Sequence, residues 1–274
     1  RVIGVDVHPV AVMIARVTYL LALGQDRLQG DRPTISIPVY LGDSLQWNTA
    51  GFLAEREVLV DVPDGPTLHF PHAVARAPGT FDAVIQTMLS LSESDNNAPP
   101  EALIAWLERE HPTIGDYEKS VLAETYSDLL QLRREGRNHI WGFVARNLAR
   151  PIWLSDDEQR ADVVIGNPPW LSYRFMSQYM KKRFKAECQR RGIWSGGKVA
   201  THQDLSAYFF ARCTELYLDQ SGKVAFIMPY SSLSREQFDG FRTGWFGRNR
   251  GKKGQEVIAS VQFTEAWAFD DKVQ

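Results

Sequence analysis

The chain has 274 residues, 44% of them hydrophobic, and a formal net charge of −2. This length and composition fit a globular protein of one large or two ordinary domains, and the charge excludes a uniformly basic nucleic-acid coat but not a local basic surface. The two cysteines, Cys188 and Cys213, are far apart, so the sequence supports neither a disulfide framework nor a cysteine zinc site and fits a reducing cytoplasm. The most apolar segment, residues 10–23, is too short to predict a membrane span, and no secretion signal is predicted.

The first elements predict a strand, a helix and a second strand. Residues 1–6 have a strand pattern, residues 9–23 have apolar side chains at helical spacing, and residues 35–41 alternate like a strand after a polar turn at 25–33. The strands end in Asp6 and Asp43. A strand-end carboxylate suits both hydroxyls of a ribose, and a second one can accept a hydrogen bond from an exocyclic amine. A solvated acid at a strand end is the alternative.

The pattern becomes mainly helical between residues 46 and 160. It predicts a hairpin around Asp64-Gly65, a polar loop at 90–100, and helices at 101–110, 116–135 and 138–150. We interpret this part as a unit inserted between the strands of a sheet. His69 and His72 have the spacing of metal ligands, but Pro71 and the loop-like surroundings do not favour a metal site there.

Residues 162–166 predict a buried strand that ends in Asn167-Pro168-Pro169-Trp170. The two prolines fix the backbone and remove two donors, which leaves the Asn167 side chain and the nearby carbonyls to face a ligand at the carboxyl end of a strand. The alternative is the start of a helix, with Asn167 as N-cap and Pro168 at the first helical position.

The 25 residues from 174 to 198 hold eight cations and the single acid Glu187. The cations are Arg174, Lys181, Lys182, Arg183, Lys185, Arg190, Arg191 and Lys198. Aromatic residues lie among them: Tyr173, Phe175, Tyr179, Phe184 and Trp194. Cations for phosphates and rings for bases predict a nucleic-acid surface, with a solvated amphipathic helix as the alternative.

A phosphate-binding loop is not predicted at residues 192–198. Val199 stands where such a loop needs Ser or Thr, and a basic helix precedes the segment instead of a strand. The remaining pattern predicts a helix at 204–218 ended by Ser221-Gly222, a strand at 223–229, a helix at 235–246, a Gly-rich basic loop at 247–254 and a strand at 256–263.

In this order the segments resemble the N6-adenine DNA methyltransferases of the gamma group, including the methylase parts of restriction-modification polypeptides. Asn167-Pro168-Pro169-Trp170 is similar to their catalytic Asn-Pro-Pro-aromatic motif. The resemblance assigns Asp6 to the ribose of S-adenosylmethionine, Val7 to its adenine, and the Asp43-Ser44 segment to the adenine amine. Asp204 opens a segment similar to the next motif, beside the cofactor. Phe269 stands where related enzymes place an aromatic that stacks on the flipped base.

The resemblance implies an α/β fold: a Rossmann-like S-adenosylmethionine-dependent methyltransferase sheet with a helical insertion. Residues 1–45 would form the cofactor-binding part, 46–160 the insertion, and 161–274 the catalytic part, truncated at its C-terminus. The first strand and Gly-rich cofactor loop of the family would precede Arg1. We therefore expect this segment alone to bind the cofactor weakly, to fold poorly and to be inactive when isolated.

The implied activity is methyl transfer to N6 of an adenine flipped out of double-stranded DNA, in a restriction-modification or phage-defence protein with further nuclease or target-recognition domains. The Asn167 oxygen and the Pro168 carbonyl would accept hydrogen bonds from the amine, and Trp170 would stack on the base. N4-cytosine methylation, protein-glutamine methylation and a catalytically incomplete DNA-binding fragment are the alternatives. No Pro-Cys dipeptide is present, which argues against the C5-cytosine route.

Overall fold

The computed structural model describes residues 2–29, 37–45, 57–62, 64–93, 98–137, 140–249 and 254–269. The chain divides into two compact units, Arg1–Asp156 and Asp157–Gln274. Every helix in the described ranges is too short or too polar to cross a bilayer.

The first unit combines strands in two pairs with several helices. Its strands are β1 (Gly4–Asp6), β2 (Val39–Leu41), β3 (Glu57–Asp61) and β4 (Thr67–Pro71). Its helices are α1 (Pro9–Leu23), α2 (Gln25–Leu28), α3 (His72–Ala75), α4 (Pro78–Glu93), α5 (Pro100–Glu110), α6 (Asp116–Arg134) and α7 (Ile140–Leu154).

β1, α1 and β2 form a parallel strand–helix–strand unit, in which Asp6 pairs with Leu41. Proline at the first position of α1 suits a helix start, and Gly24, with φ of 76°, ends the helix. The predicted first strand and the helix are confirmed. The predicted polar turn begins instead with the short helix α2, and residues 30–36, which include the start of the predicted second strand, lie outside the described residues.

β3 and β4 form the predicted antiparallel hairpin, and Asp64 in its turn has a φ of 54°. The buried faces of the hairpin and of helices α3 to α7 share one apolar core, which includes Phe70, Phe81, Leu107 and Tyr126. The region that we interpret as an insertion thus has a hydrophobic core that its own elements build.

The predicted loop at 90–100 is wrong at its start, because α4 continues to Glu93. Ser92 is buried in this last turn, where its hydroxyl donates to the Leu89 carbonyl at 2.7 Å and accepts from Arg133 at 3.2 Å. These two bonds satisfy the polar side chain inside the helix. Residues 94–97 of the predicted loop lie outside the described residues.

His69 pairs with a carboxylate across the hairpin. Its Nδ1 lies 2.6 Å from Glu57 Oε2, and the Tyr117 hydroxyl donates to Glu57 Oε1 at 2.5 Å. Burial by itself raises the pKa of Glu57, but the bonds to Tyr117 and His69 outweigh burial and hold the pKa below its ordinary value. Among the described residues, no group of three or more His, Cys, Asp or Glu side chains is arranged to hold a metal ion.

The second unit also has two strand pairs. Its strands are β5 (Ala161–Gly166), β6 (Leu218–Phe226), β7 (Trp245–Asn249) and β8 (Gln255–Ser260), and its helices are α8 (Gln178–Arg190), α9 (Leu205–Tyr217), α10 (Ser231–Ser234) and α11 (Asp239–Arg242). β5 and β6 are parallel, whereas β7 and β8 are antiparallel.

Phenylalanine rings around α9 form the core of the second unit. The Phe210 ring lies 5.3 Å from Phe226, 5.2 Å from Phe241, 6.4 Å from Phe246 and 5.7 Å from Phe263, measured between centroids. Contacts between aromatic rings of this kind add to the burial of apolar area. They tie α9 to the ends of both strand pairs.

Four predictions in this unit are wrong. β5 was expected to be buried, but Val163 and Ile165 are 59% and 76% exposed, because no described element covers the face on which both lie. The predicted helix at 235–246 ends early: the chain leaves α11, turns at Gly244 with φ of 64°, and enters β7 at Trp245.

The predicted loop at 247–254 begins inside β7, since residues 247–249 pair with β8; residues 250–253 lie outside the described residues. The predicted helix stop at Ser221-Gly222 is also misplaced, because α9 ends at Tyr217 and β6 begins at Leu218. Leu218 pairs with Ala161, and a register shift follows in β5 before Lys223 pairs with Val163. The polar residues between Leu218 and Lys223 thus occupy an irregular part of the pairing.

Helices and strands occur in both units, as the α/β prediction expects. Within the described ranges, every sheet has two strands. A continuous Rossmann-like sheet therefore stays a prediction, as does the division into residues 1–45, 46–160 and 161–274.

Candidate functional site

Asn167-Pro168-Pro169-Trp170 follows β5 directly and does not start a helix. The next helical turn is a 3-10 turn at Tyr173–Phe175, and the next α-helix is α8. The alternative of Asn167 as a helix N-cap is therefore excluded.

The pairing of β5 with β6 stops where the motif begins. The Gly166 carbonyl accepts a hydrogen bond from the Ile227 N–H at 3.0 Å, and the two prolines that follow Asn167 have no N–H to continue the ladder. The Asn167 side chain is exposed, and in the described part of the chain it has no hydrogen-bond partner. Its amide oxygen is thus available to a substrate.

The Trp170 ring is oriented by the chain that follows β6. Its indole N–H donates to the Ile227 carbonyl at 3.3 Å, and the side chain remains 55% exposed. A ring that is held at its edge and open on its surface is suited to stacking on a flat ligand.

The segment after Trp170 pairs with the start of α9. Ser172 and Asp204 form an antiparallel bridge, and the Leu205 N–H donates to the Leu171 carbonyl at 2.9 Å. The structure thereby brings the predicted Asp204 segment next to the Asn-Pro-Pro-Trp segment.

The Asp204 carboxylate caps α9. It accepts from the Ser206 N–H at 2.8 Å and also from the Ser206 hydroxyl. Burial raises the pKa of Asp204, although both hydrogen bonds from Ser206 oppose the rise. A local structural function thus accounts for the carboxylate that we predicted beside the cofactor.

The two predicted cofactor acids of the first unit lie at one edge of the β1–β2 pair. The Gly42 N–H donates to the Asp6 carbonyl at 2.9 Å, which holds the two strand ends side by side. Asp6 Oδ1 accepts from the His8 N–H at 2.6 Å, and Asp43 Oδ1 accepts from the Leu45 N–H at 2.9 Å. Each carboxylate is thus fixed by its own turn.

Val7 and Ser44 differ in exposure beside these acids. Val7 is exposed, as a residue that packs on a ligand ring would be, whereas Ser44 is half-buried. A Cβ at Gly42 would lie 2.8 Å from the Asn147 carbonyl oxygen and 2.9 Å from Pro151 Cγ. Only glycine lets α7 pack this closely against the strand end that carries Asp43.

The predicted DNA-binding cations differ widely in exposure. The exposed ones are Arg174, Lys182, Lys185 and Arg190, and the half-buried ones are Lys181 and Arg183. Lys198 lies in the 3-10 turn Gly197–His202. The exposed cations on α8 and before it give this face a positive charge, as a phosphate-binding surface needs.

Arg191 is the exception, and its predicted DNA contact is wrong. Its side chain is 0% exposed: Nη1 lies 2.5 Å from Glu187 Oε2 and Nε lies 2.9 Å from Glu215 Oε2. Burial lowers the pKa of Arg191, but Glu215 and the other partners outweigh burial and raise it. The guanidinium also lies over the Tyr208 ring at 5.3 Å. Arg191 therefore joins α8 to α9 instead of contacting DNA.

The aromatic residues between the cations divide in the same way. Tyr173, Phe184 and Trp194 pack on one another, with centroid distances of 5.3 to 6.2 Å. Phe175 and Tyr179 are exposed. Phe269, the predicted second base-stacking residue, is exposed in the irregular segment after β8.

Comparison with known families places this geometry in context. The family model described as Eco57I restriction-modification methylase matches residues 1–253. The chain belongs to this family. No curated protein and no solved structure matches it.

Membership in the Eco57I methylase family supports a DNA methyltransferase of restriction-modification type. The matched range contains both strand-end acids, the Asn-Pro-Pro-Trp segment and α8, but not Phe269. The assignment of Phe269 therefore rests on the sequence resemblance alone.

Two residues of this Eco57I-family chain were missed by the sequence patterns. Ile227 orients Trp170 through its carbonyl, and Gly42 admits α7 beside Asp43. Every residue has a carbonyl, so only the pairing of β5 with β6 singles out Ile227. The Gly42-Asp43 dipeptide was visible in the sequence, but its close contact with α7 was not.

Proposed function

We propose that the protein transfers a methyl group from S-adenosylmethionine to the exocyclic N6 of an adenine flipped out of double-stranded DNA, in a restriction-modification or phage-defence protein. The observation that carries the proposal is the exposed Asn167 amide beside the tethered Trp170 ring at the carboxyl end of β5. Family membership supports the broader activity, and the site chemistry supports the choice of an amine.

An exocyclic adenine amine is a weak nucleophile, because its lone pair is delocalised into the ring. Asn167 Oδ1 and the Pro168 carbonyl would each accept one of its N–H bonds and draw the nitrogen toward tetrahedral geometry. Trp170 would stack on the extruded base, since the target nitrogen is not accessible inside a duplex. The chain therefore acts by positioning and by hydrogen bonding to the amine.

The residues of the first unit fit the proposed cofactor. Asp6 has an acceptor oxygen for ribose hydroxyls, Asp43 can accept from an adenine amine, Val7 offers an apolar contact, and Ser44 adjoins Asp43. When bound, S-adenosylmethionine supplies the methyl group. Asp204 would contact the cofactor from its position at the N-cap of α9.

Double-stranded DNA is the proposed partner, held through the exposed cations Arg174, Lys182, Lys185 and Arg190 and the half-buried Lys181 and Arg183. We also propose that the two units contribute to one methyltransferase domain with a Rossmann-like sheet, into which residues 46–160 are inserted. Nuclease or target-recognition domains would belong to the same polypeptide. The proposed location of the protein is the cytoplasm.

A methyl-transfer assay tests the proposal. The complete polypeptide, with all its domains, is incubated with labelled S-adenosylmethionine and a long unmethylated duplex of mixed sequence, and the DNA is hydrolysed for base analysis. We expect N6-methyladenine from the wild type and none from Asn167→Ala.

Other outcomes have defined meanings. Detection of N4-methylcytosine would show that the target base is cytosine instead of adenine. Label in protein instead of DNA would indicate glutamine methylation. Equal activity of Asn167→Ala and the wild type would refute the catalytic assignment.

A further inference from the structure

Phe175 is an exposed aromatic residue on a turn that is fixed on both sides. It is 69% exposed, although Met176 beside it is only 4% exposed. The Phe175 N–H donates to the Ser172 carbonyl at 2.9 Å, and the Tyr173 N–H donates to the Gln203 carbonyl at 2.7 Å. The exposure of the ring thus belongs to an ordered 3-10 turn.

Side-chain packing anchors the same turn. The Tyr173 ring lies 5.9 Å from Phe184 and 5.3 Å from Trp194, and Phe184 is fully buried. The packing of Tyr173 and the burial of Met176 therefore fix the turn, while Arg174 and Phe175 remain exposed. An exposed ring on a turn that is fixed in this way is available for stacking on a flat ligand.

The charge around Phe175 is positive. The Arg174 guanidinium lies over the Phe175 ring at 4.6 Å, and Arg174 is exposed. Lys182 and Lys185 are exposed on α8, which follows the turn. An apolar ring capped by a cation and followed by a cationic helix is complementary to a polyanion that also has flat apolar groups.

Phe175 lies close in the chain to the proposed base-gripping residue. Phe175 follows Trp170 by five positions, so their Cα atoms are at most about 18 Å apart, or about five base steps of 3.4 Å. Both rings are exposed and lie in the second unit. They can therefore contact the same short stretch of duplex.

We propose that Phe175 is a wedge that enters the base stack of duplex DNA at the gap left by the extruded base, while Arg174 contacts an adjacent phosphate. Phenylalanine is one of the side chains that proteins insert between base steps, and extrusion of a base leaves a gap that an apolar ring can fill. The inference rests on the proposed function for the origin of the gap. Phe175 is a positioning residue, because Trp170 and Asn167 contact the base itself.

The first test needs no methyl transfer. Fluorescence anisotropy measures the binding of the protein to two duplexes of the same sequence, one intact and one with a single abasic site. We expect the wild type to prefer the abasic duplex by about tenfold, and we expect Phe175→Ala to lose that preference while Phe175→Trp keeps it. Trp267→Ala removes another exposed aromatic residue, outside the turn, and is the matched control.

The second test uses the reaction, on a duplex that contains the methylated sequence found in the activity assay. We expect Phe175→Ala to reduce kcat/KM by about tenfold when the target adenine is paired, and an abasic site opposite that adenine to restore the rate, because extrusion then costs less. Asn167→Ala should not be restored by this substrate. Circular dichroism of each variant checks that it is folded.

An unchanged preference for the abasic duplex in Phe175→Ala would overturn the wedge, as would a wild type without any preference. If Phe175 instead belonged to a surface that docks another protein, Phe175→Ala would also keep the wild-type binding to both duplexes, because neither DNA affinity nor methylation would depend on the ring. Absence of methyl transfer by the wild type would refute the proposed function alone, and the binding test would still decide the role of Phe175.

Discussion

The parallel pairs β1–β2 and β5–β6 both end in polar segments, but they hold their polar side chains differently. After β1 and β2, each acid accepts a hydrogen bond from the backbone N–H two residues later, His8 for Asp6 and Leu45 for Asp43. After β5, two prolines remove such donors and Asn167 stays exposed.

Under our proposal, this difference separates recognition of the cofactor from reaction at the target base. A carboxylate fixed by its own turn can recognise hydroxyl or amine groups without first becoming ordered. An amide without an internal partner keeps its whole hydrogen-bonding capacity for the substrate. Under our proposal, β1–β2 therefore serves the cofactor and β5–β6 serves the target base, and four substitutions test this division.

Arg191→Ala should have the largest effect, on the stability of the unit that holds β5–β6. The change leaves Glu187 and Glu215 without the buried guanidinium that joins α8 to α9. We expect the free energy of unfolding to fall by about 3–5 kcal/mol, measured by urea denaturation. Arg190→Ala is the matched control, because Arg190 is exposed; it should weaken DNA binding and leave stability within about 0.5 kcal/mol. Equal stability losses in both variants would contradict the buried network.

Asn167→Ala should abolish the reaction without affecting the fold. Because the side chain is exposed, we expect stability within about 0.5 kcal/mol of the wild type, and because it would accept a hydrogen bond from the reacting amine, kcat should fall by at least about 100-fold. Single-turnover rates at saturating cofactor measure the loss. If the cofactor Kd rose while kcat stayed unchanged, Asn167 would serve cofactor binding, the function that we propose for β1–β2. The proposed division between the two strand pairs would then be wrong.

Gly42→Ala should affect the β1–β2 side. The added Cβ would meet the Asn147 carbonyl and Pro151, so the free energy of unfolding should fall by about 1–3 kcal/mol. The strand end should also shift, which raises the cofactor Kd through Asp43. Gly79→Ala is the control, because a Cβ there meets nothing within 4 Å. If calorimetric titration gave the same cofactor Kd for Gly42→Ala and the wild type, Asp43 would not be the contact.

Asp6→Asn should have the smallest effect. The Asn oxygen can still accept from His8, so the turn and the stability should be kept, while loss of the charge weakens the bond to a ribose hydroxyl. We expect an increase of about tenfold in the cofactor Kd, with kcat at saturating cofactor unchanged. A fall in kcat instead would show that the two strand pairs do not divide recognition from reaction.

Local chemistry explains which elements were predictable from the sequence. Proline at position 9 marks a helix start, and Asp64-Gly65 between apolar runs marks a hairpin turn; both elements were predicted correctly. Patterns that depend on distant partners were not predictable. Trp245 continues a helical pattern along the chain, but it pairs with Ser260 in a strand.

The candidate site has the same limit. The exposed Arg190 and the buried Arg191 are neighbours with the same side chain, and the contacts of Arg191 with Glu187 and Glu215 separate their roles. The sequence predicted that the strand ends at the Asn-Pro-Pro-Trp segment, because the missing N–H groups of the two prolines act locally. The partner of Trp170 was not predictable, because it directly follows a strand and lies 57 residues further along the chain.

The hydrogen bond from Trp170 to Ile227 also has an entropic consequence. A side chain that swings freely must give up rotamer freedom when a base stacks on it, and this loss weakens binding. The Trp170 ring has already given up that freedom, because its N–H is tethered to a strand end. Phenylalanine at this position would offer a similar flat surface without a ring donor, and tyrosine would carry its donor at a different point. Both replacements should therefore lose affinity for an extruded base through disorder of the ring, with its stacking area nearly unchanged.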